Sequence, residues 1–201
     1  MTRRTRTTLL AAGIALVAMG GCSGESPSAK GRLVVLYRDG RTGVDHTTVV
    51  TVHLGSPVPR APTRWRQTFL GQGCEGDGRT LVLTDPLGHP VEIGDPCDWD
   101  EKEGEVSPDA RYLPAWVLGD GAGATLHLID LTVEPADLGE VPDSRSADYI
   151  ATWSPDDRVW FTSDDSPTSA GRLFSFHPGD TMSASVNVHR DALIRSVRAV
   201  R

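Results

Sequence analysis

Two copies of one short turn constrain this chain more than anything else in it. Ser107-Pro108-Asp109-Ala110-Arg111 and Ser154-Pro155-Asp156-Asp157-Arg158 stand 47 positions apart, and each leads into an apolar strand containing a Trp. Pro presets φ for a turn, while Ser and Asp side chains accept hydrogen bonds from backbone N–H groups two residues on. Gly31-Arg32 and Gly78-Arg79, also 47 positions apart, lead into two earlier strands, although the interval between the second and third units is only about 32. A unit of several strands recurring every ~40–50 residues is the signature of a β-propeller blade.

The strands fall into pairs. RLVVLYRD (residues 32–39) and TTVVTVHL (47–54) form the first, RTLVLTD (79–85) and PVEI (90–93) the second. RYLPAWVL (111–118) and TLHLIDL (125–131) form the third, and residues 158–163 with 172–176 the fourth. No window of helix length before the last residues shows a helical period. In RLVVLY and TLHLIDL apolar residues occupy both parities, so both faces of those strands are expected to be buried, as in sheets stacked face to face. Residues 185–189 (SVNVH) read as a strand. The final run is either a short helix capped by Asp191, with Leu193, Ile194, Val197 and Val200 on one side, or a strand over 194–200 that completes the first unit; the strand is favoured. The fold class is therefore all-β, a β-propeller-like array of about four antiparallel sheet units, small or incomplete.

The fourth unit carries a more specific pattern. Trp153-Ser154-Pro155-Asp156, then Val159-Trp160-Phe161-Thr162-Ser163, then Leu173-Phe174-Ser175-Phe176 resembles the TolB-type repeat, a relative of the WD repeat. The third unit, with Ser107-Pro108-Asp109, matches less completely, so the resemblance covers roughly residues 105–180. It implies a propeller whose loops form an interaction surface. Propellers of that family usually have six or more blades, and this chain supplies about four units. Where the family places Gly after the Asp, this sequence has Ala110 and Asp157, so a tight turn requiring positive φ is not expected there.

The N-terminus has a different origin. Arg3, Arg4 and Arg6 precede an apolar run over residues 9–19 that is too short to span a bilayer stably. Met19-Gly20-Gly21-Cys22 then resembles the lipobox of bacterial lipoproteins, in which the Cys thiol is diacylated and the peptide is cut before it. An ordinary secretory signal with a chance Cys is the alternative. The resemblance implies a signal peptide over 1–21, an acylated (palmitate-bearing) Cys22, a flexible tether over 22–31 and a β domain over 32–201. Two acyl chains give stable anchoring, since each buried CH₂ contributes about 0.8 kcal/mol. The expected location is the extracytoplasmic face of the cell membrane, with the membrane as one partner.

Removing residues 1–21 takes away three Arg and moves the formal charge from −7 to −10. So acidic a body is a poor candidate for nucleic acid. Outside the cytoplasm Cys74 and Cys97 form an even pair for which a disulfide is the natural reading, with two buried free thiols as the alternative.

No stretch reads as a catalytic site. The Ser and Asp of the repeated turns are expected to be structural, and no Gly-x-Ser-x-Gly elbow is present. Asp95, Asp98, Asp100, Glu101, Glu103 and Glu105, and later Asp156, Asp157, Asp164 and Asp165, lack the spacing of a calcium loop. The six His are dispersed, so neither a metal nor a cofactor is expected. Of five Trp, Trp116, Trp153 and Trp160 belong to repeat strands and are expected in the core. Trp65 and Trp99 lie in loop-like segments and are the candidate surface contacts. The resulting expectation is a non-enzymatic, lipid-anchored binding or scaffold protein with a protein or envelope component as partner. An envelope hydrolase on the same scaffold is the alternative.

Overall fold

The computed structural model describes residues 29–119, 123–132, 134–145, 151–163 and 171–200. The expected signal peptide over 1–21, Cys22, most of the expected tether, Asp164 and Asp165 lie outside the described residues. Thirteen strands make up the regular structure: β1 (Ala29–Asp39), β2 (Asp45–Leu54), β3 (Arg66–Leu70), β4 (Thr80–Thr84), β5 (Pro90–Ile93), β6 (Tyr112–Leu118) and β7 (Ala124–Asp130) come first. They are followed by β8 (Ala136–Glu140), β9 (Ala151–Trp153), β10 (Val159–Phe161), β11 (Arg172–Phe176), β12 (Ala184–Asn187) and β13 (Ala192–Val200). All four expected strand pairs are present and antiparallel. β3, β8 and β9 are additional, and β12 and β13 take up the two strand-like segments at the end.

Four antiparallel sheets result, in the orders β13-β1-β2, β3-β4-β5, β6-β7-β8 and β12-β11-β10-β9. The first sheet draws on both ends of the described chain: β13 pairs along β1 from Arg32↔Val200 to Asp39↔Ala192. The terminal run is thus a strand completing the first unit, and its alternating burial shows why a helix loses: Ala192 and Ile194 point into the core while Leu193 and Arg195 do not.

Stacking follows from the period of two. Within β10, Val159 and Phe161 pack toward the third sheet, and Trp160 between them packs toward the first. All three are nearly inaccessible, at 0%, 0% and 4%. In β6, Leu113, Ala115 and Val117 face the second sheet, and Tyr112 and Trp116 face the fourth. Three apolar clusters therefore link the sheets in the spatial order second, third, fourth, first. Burying each large side chain contributes about 1.5–3 kcal/mol. Among the described residues no cluster joins the first sheet to the second, so the array is a propeller-like arc that does not close.

The open end corrects one expectation. Leu33, Val35 and Tyr37 of β1 are buried, but the half-buried Val34 and the 37% exposed Leu36 alternate with them and belong to no apolar cluster among the described residues. The RLVVLY strand therefore buries one face, because it belongs to a terminal sheet of the arc. A short stitch joins the second and third sheets. The Trp99 backbone exchanges hydrogen bonds with Arg79 at 2.7 and 3.0 Å, and Leu118 N–H donates to Asp98 O at 2.7 Å. Cys74 and Cys97 form a disulfide with Cα atoms 5.3 Å apart, which pins this stitch to the end of the second sheet. Gly78 is required beside it, since an added Cβ would collide with the Cys97 carbonyl.

Candidate functional site

The two repeated turns are built alike. Ser107 Oγ donates to Asp109 Oδ1 at 2.6 Å, and Ser154 Oγ donates to Asp156 Oδ1 at 2.6 Å. Ala110 N–H closes the first turn on Ser107 O at 2.9 Å, and Asp157 N–H closes the second on Ser154 O at 3.2 Å. Contrary to the sequence expectation, both turns keep the left-handed closing residue: Ala110 has φ 61° and Asp157 φ 57°. The closing hydrogen bond and the buried Ser hold these non-Gly residues where an L side chain is disfavoured.

The turns grip the segment between β2 and β3. Residues 55–65 (GSPVPRAPTRW) carry Pro57, Pro59 and Pro62, which favour an extended polyproline conformation of three residues per turn. The N–H groups three apart then point to the same side, and they are the ones used. Gly55 N–H donates to Asp156 Oδ2 at 2.6 Å, Val58 N–H to Pro155 O at 2.8 Å and Ala61 N–H to Pro108 O at 2.8 Å. Trp65 Nε1–H then donates to Leu131 O at 3.0 Å. The segment runs from the first sheet across the turn of the fourth and the turn of the third to reach the second.

The turns also touch each other. Asp109 N–H donates to Asp157 Oδ1 at 3.4 Å, and Asp157 is 4% exposed as a residue. Burial, followed by the adjacent Asp109 carboxyl, pushes the Asp157 pKa up to about 6.

Half-open clefts flank the linking segment. One of about 720 Å³ is walled by Leu54, Val58 and Pro155 and bordered by the exposed Lys30, Arg32 and Arg60. Another of about 730 Å³ holds Trp65, Arg64, Leu87, Asp109 and Arg111. Leu87 is 81% exposed there.

Of the two Trp expected as surface contacts, only Trp65 reaches a cleft. Trp99 is 1% exposed, donates from Nε1 to Ile93 O at 2.7 Å and meets His127 edge-on, so it is a core residue. The loop composition around it misled because the stitch buries it between two sheets. Trp116, Trp153 and Trp160 are core residues as expected. The dispersed His are partly gathered: Tyr37 lies between His46 and His189, with ring centroids 5.5 and 5.4 Å away. Among the described residues no three His, Cys, Asp or Glu stand together as a metal-binding group. The linking segment was not singled out in the sequence, although its Pro spacing was a signal for it.

No family model matches this chain, and no curated protein matches it. Among solved structures it is similar to the crystal structure of TolB from Acinetobacter baumannii, at 16% identity and a TM-score of 0.39. That match covers 76% of this chain and 40% of the other, so the chain spans less than half the length of the protein it resembles.

Proposed function

We propose that this chain is a non-enzymatic, lipid-anchored extracytoplasmic protein that binds a protein or envelope component through the face made by its two Ser-Pro-Asp turns and the segment 55–65. The observation that carries this reading is the locking of that segment by three backbone donors onto the two turns. The exposed Arg64 and the half-buried Trp65 are thereby held on a rigid support instead of a mobile loop, and function on propeller-like folds resides in such sites, not in the sheets. The N-terminal pattern ending in Cys22 supports the anchor.

The test is capture from an envelope extract by the full chain and by its Trp65→Ala/Arg64→Ser variant. A partner retained by the wild type and lost by the variant supports the reading; equal capture by both removes this face from it. Cys22→Ala protein that remains in the membrane fraction would sink the anchor. A second reading, an envelope hydrolase, is favoured by the close carboxyls of Asp109 and Asp157, because a carboxyl near pKa 6 suits a general acid. Hydrolysis of a model glycan or ester that disappears in Asp157→Asn would establish it.

A further inference from the structure

We infer that the cleft between the first sheet and the segment 55–65 binds a small anionic amphiphile, an acid group carried on an apolar body. Its volume of about 720 Å³ lies in the range of ligand sites, about 300–1,000 Å³. Leu54 at the end of β2, Val58 in the linking segment, Pro108 and Pro155 from the two turns and Val200 of β13 supply an apolar wall. These residues come from four separate stretches of chain, and the hydrogen bonds from Gly55 and Val58 fix the wall in place.

The charge around this wall is one-sided. Lys30, Arg32 and Arg60 line the cleft, and no Asp or Glu does so among the described residues. None of the three cations forms an ion pair with a described residue, whereas Arg38, Arg79, Arg111, Arg145 and Arg158 do. The Asp156 carboxylate lies against Gly55 and already accepts from the Gly55 N–H and the Ser154 hydroxyl. Three unpaired cations gathered at one cleft of a chain with a formal charge of −7 create a local positive field that the body as a whole lacks. An apolar wall with a few convergent charged groups recognises a ligand with an apolar body and one acidic head. This inference shares the segment 55–65 and the two turns with the protein-binding reading but concerns a different cleft from the one that holds Trp65, and its test reads ligand binding without any protein partner.

The test titrates the full chain with 4-phenylbutyrate, 4-phenylbutanol and 4-phenylbutylamine, which share one apolar body and differ in head charge. Isothermal titration calorimetry should show the carboxylate binding at least about tenfold more tightly than the amine, with the alcohol between. Arg32→Ser/Arg60→Ser should weaken the carboxylate about tenfold, erase its advantage over the amine and leave the alcohol within about twofold. Both Arg side chains are exposed, so an unchanged urea midpoint identifies a folded variant. Val58→Asp should weaken the carboxylate and the alcohol together. Absence of carboxylate binding, equal affinity for the three ligands, or a carboxylate preference that survives the double Arg substitution would each overturn the inference.

Discussion

Replacing Asp157 by Asn should stabilise the protein at neutral pH and leave it nearly unchanged in mild acid. Asp157 is 4% exposed as a residue, and its carboxyl lies against Asp109 in the neighbouring turn. Its pKa is pushed from 3.8 to about 6, first by burial and then by that second carboxyl. The folded protein thus binds this proton more tightly than the unfolded chain does. The stabilisation supplied by the protonated pair is complete below about pH 4 and is lost as pH rises through about 6. At about 1.4 kcal/mol for each pH unit, the full difference would approach ~3 kcal/mol, which screening by water around these surface turns reduces to about 1–2 kcal/mol.

Asn keeps the shape, accepts from the Asp109 N–H, donates an amide proton where the protonated acid would, and tolerates the φ of 57° at this position. Urea denaturation of wild type and variant between pH 4.5 and 7.5 should therefore give the closest midpoints at the acid end, where most of the stabilisation from the protonated pair is still present. The variant should gain about 1–2 kcal/mol at the other end. The range stops at pH 4.5 because backbone N–H groups hold the Asp39 and Asp85 carboxyls, and Arg38 the Asp45 carboxyl, below their ordinary values. Those contributions are lost as pH falls below 3.8 and would mask the effect. A difference that does not change with pH, or a variant less stable than wild type at pH 7.5, would refute the carboxyl-pair account.

Ala110→Gly should raise stability by about 0.5–1 kcal/mol in the same assay, because the φ of 61° strains Ala and suits Gly. Cys74→Ser/Cys97→Ser should lower it by about 3 kcal/mol from the entropy of a loop of this length, and an unreduced peptide digest of the wild type should contain the two Cys linked. Asp156→Ala removes the acceptor of the Gly55 N–H, while the Ser154 hydroxyl keeps the Arg158 carbonyl at 3.0 Å. It should cost about 1–3 kcal/mol for the group left unsatisfied, and protease should cut residues 55–65 faster in the variant.

What was legible in the sequence is what local chemistry determines. The strand pairs were readable because VV, LVL and LHLI runs stand between Gly, Pro and Asp, and the Ser-Pro-Asp turns because Pro and Asp act on their own backbone. β3 and β8 escaped because they are short and half-exposed; ADLGE offers no apolar alternation for a pattern to detect. β9 has three residues and gains its identity from pairing with β10. The left-handed closing residues were misjudged because tertiary fixation of the turns outweighs the local preference for Gly. Trp99 was misplaced because its burial depends on contacts with Arg79 and Val117, which adjacent sequence does not encode. The three cations of the proposed ligand cleft come from β1 and from the linking segment, and only the fold brings them together.

The topology explains why the site lies where it does. In chain order the first sheet precedes the second, but in space the apolar clusters place them at opposite ends of the arc. A connection between them must cross the third and fourth sheets, and it needs backbone partners on the way. The Ser-Pro-Asp turns supply these partners: each turn closes through its Ser and Asp and leaves the Pro carbonyl free to accept, and Asp156 also accepts from the Gly55 N–H. Pro155 and Pro108 consequently become the two stations to which the segment is bound, at a separation that matches the three-residue repeat of its donors. The unit that repeats along the sequence thus has two roles, starting a strand within its own sheet and holding the segment that spans the arc. The clefts form along that segment, one beside residues 55–60 and the other beside residues 61–65, because it bridges between turns without filling the space beside them.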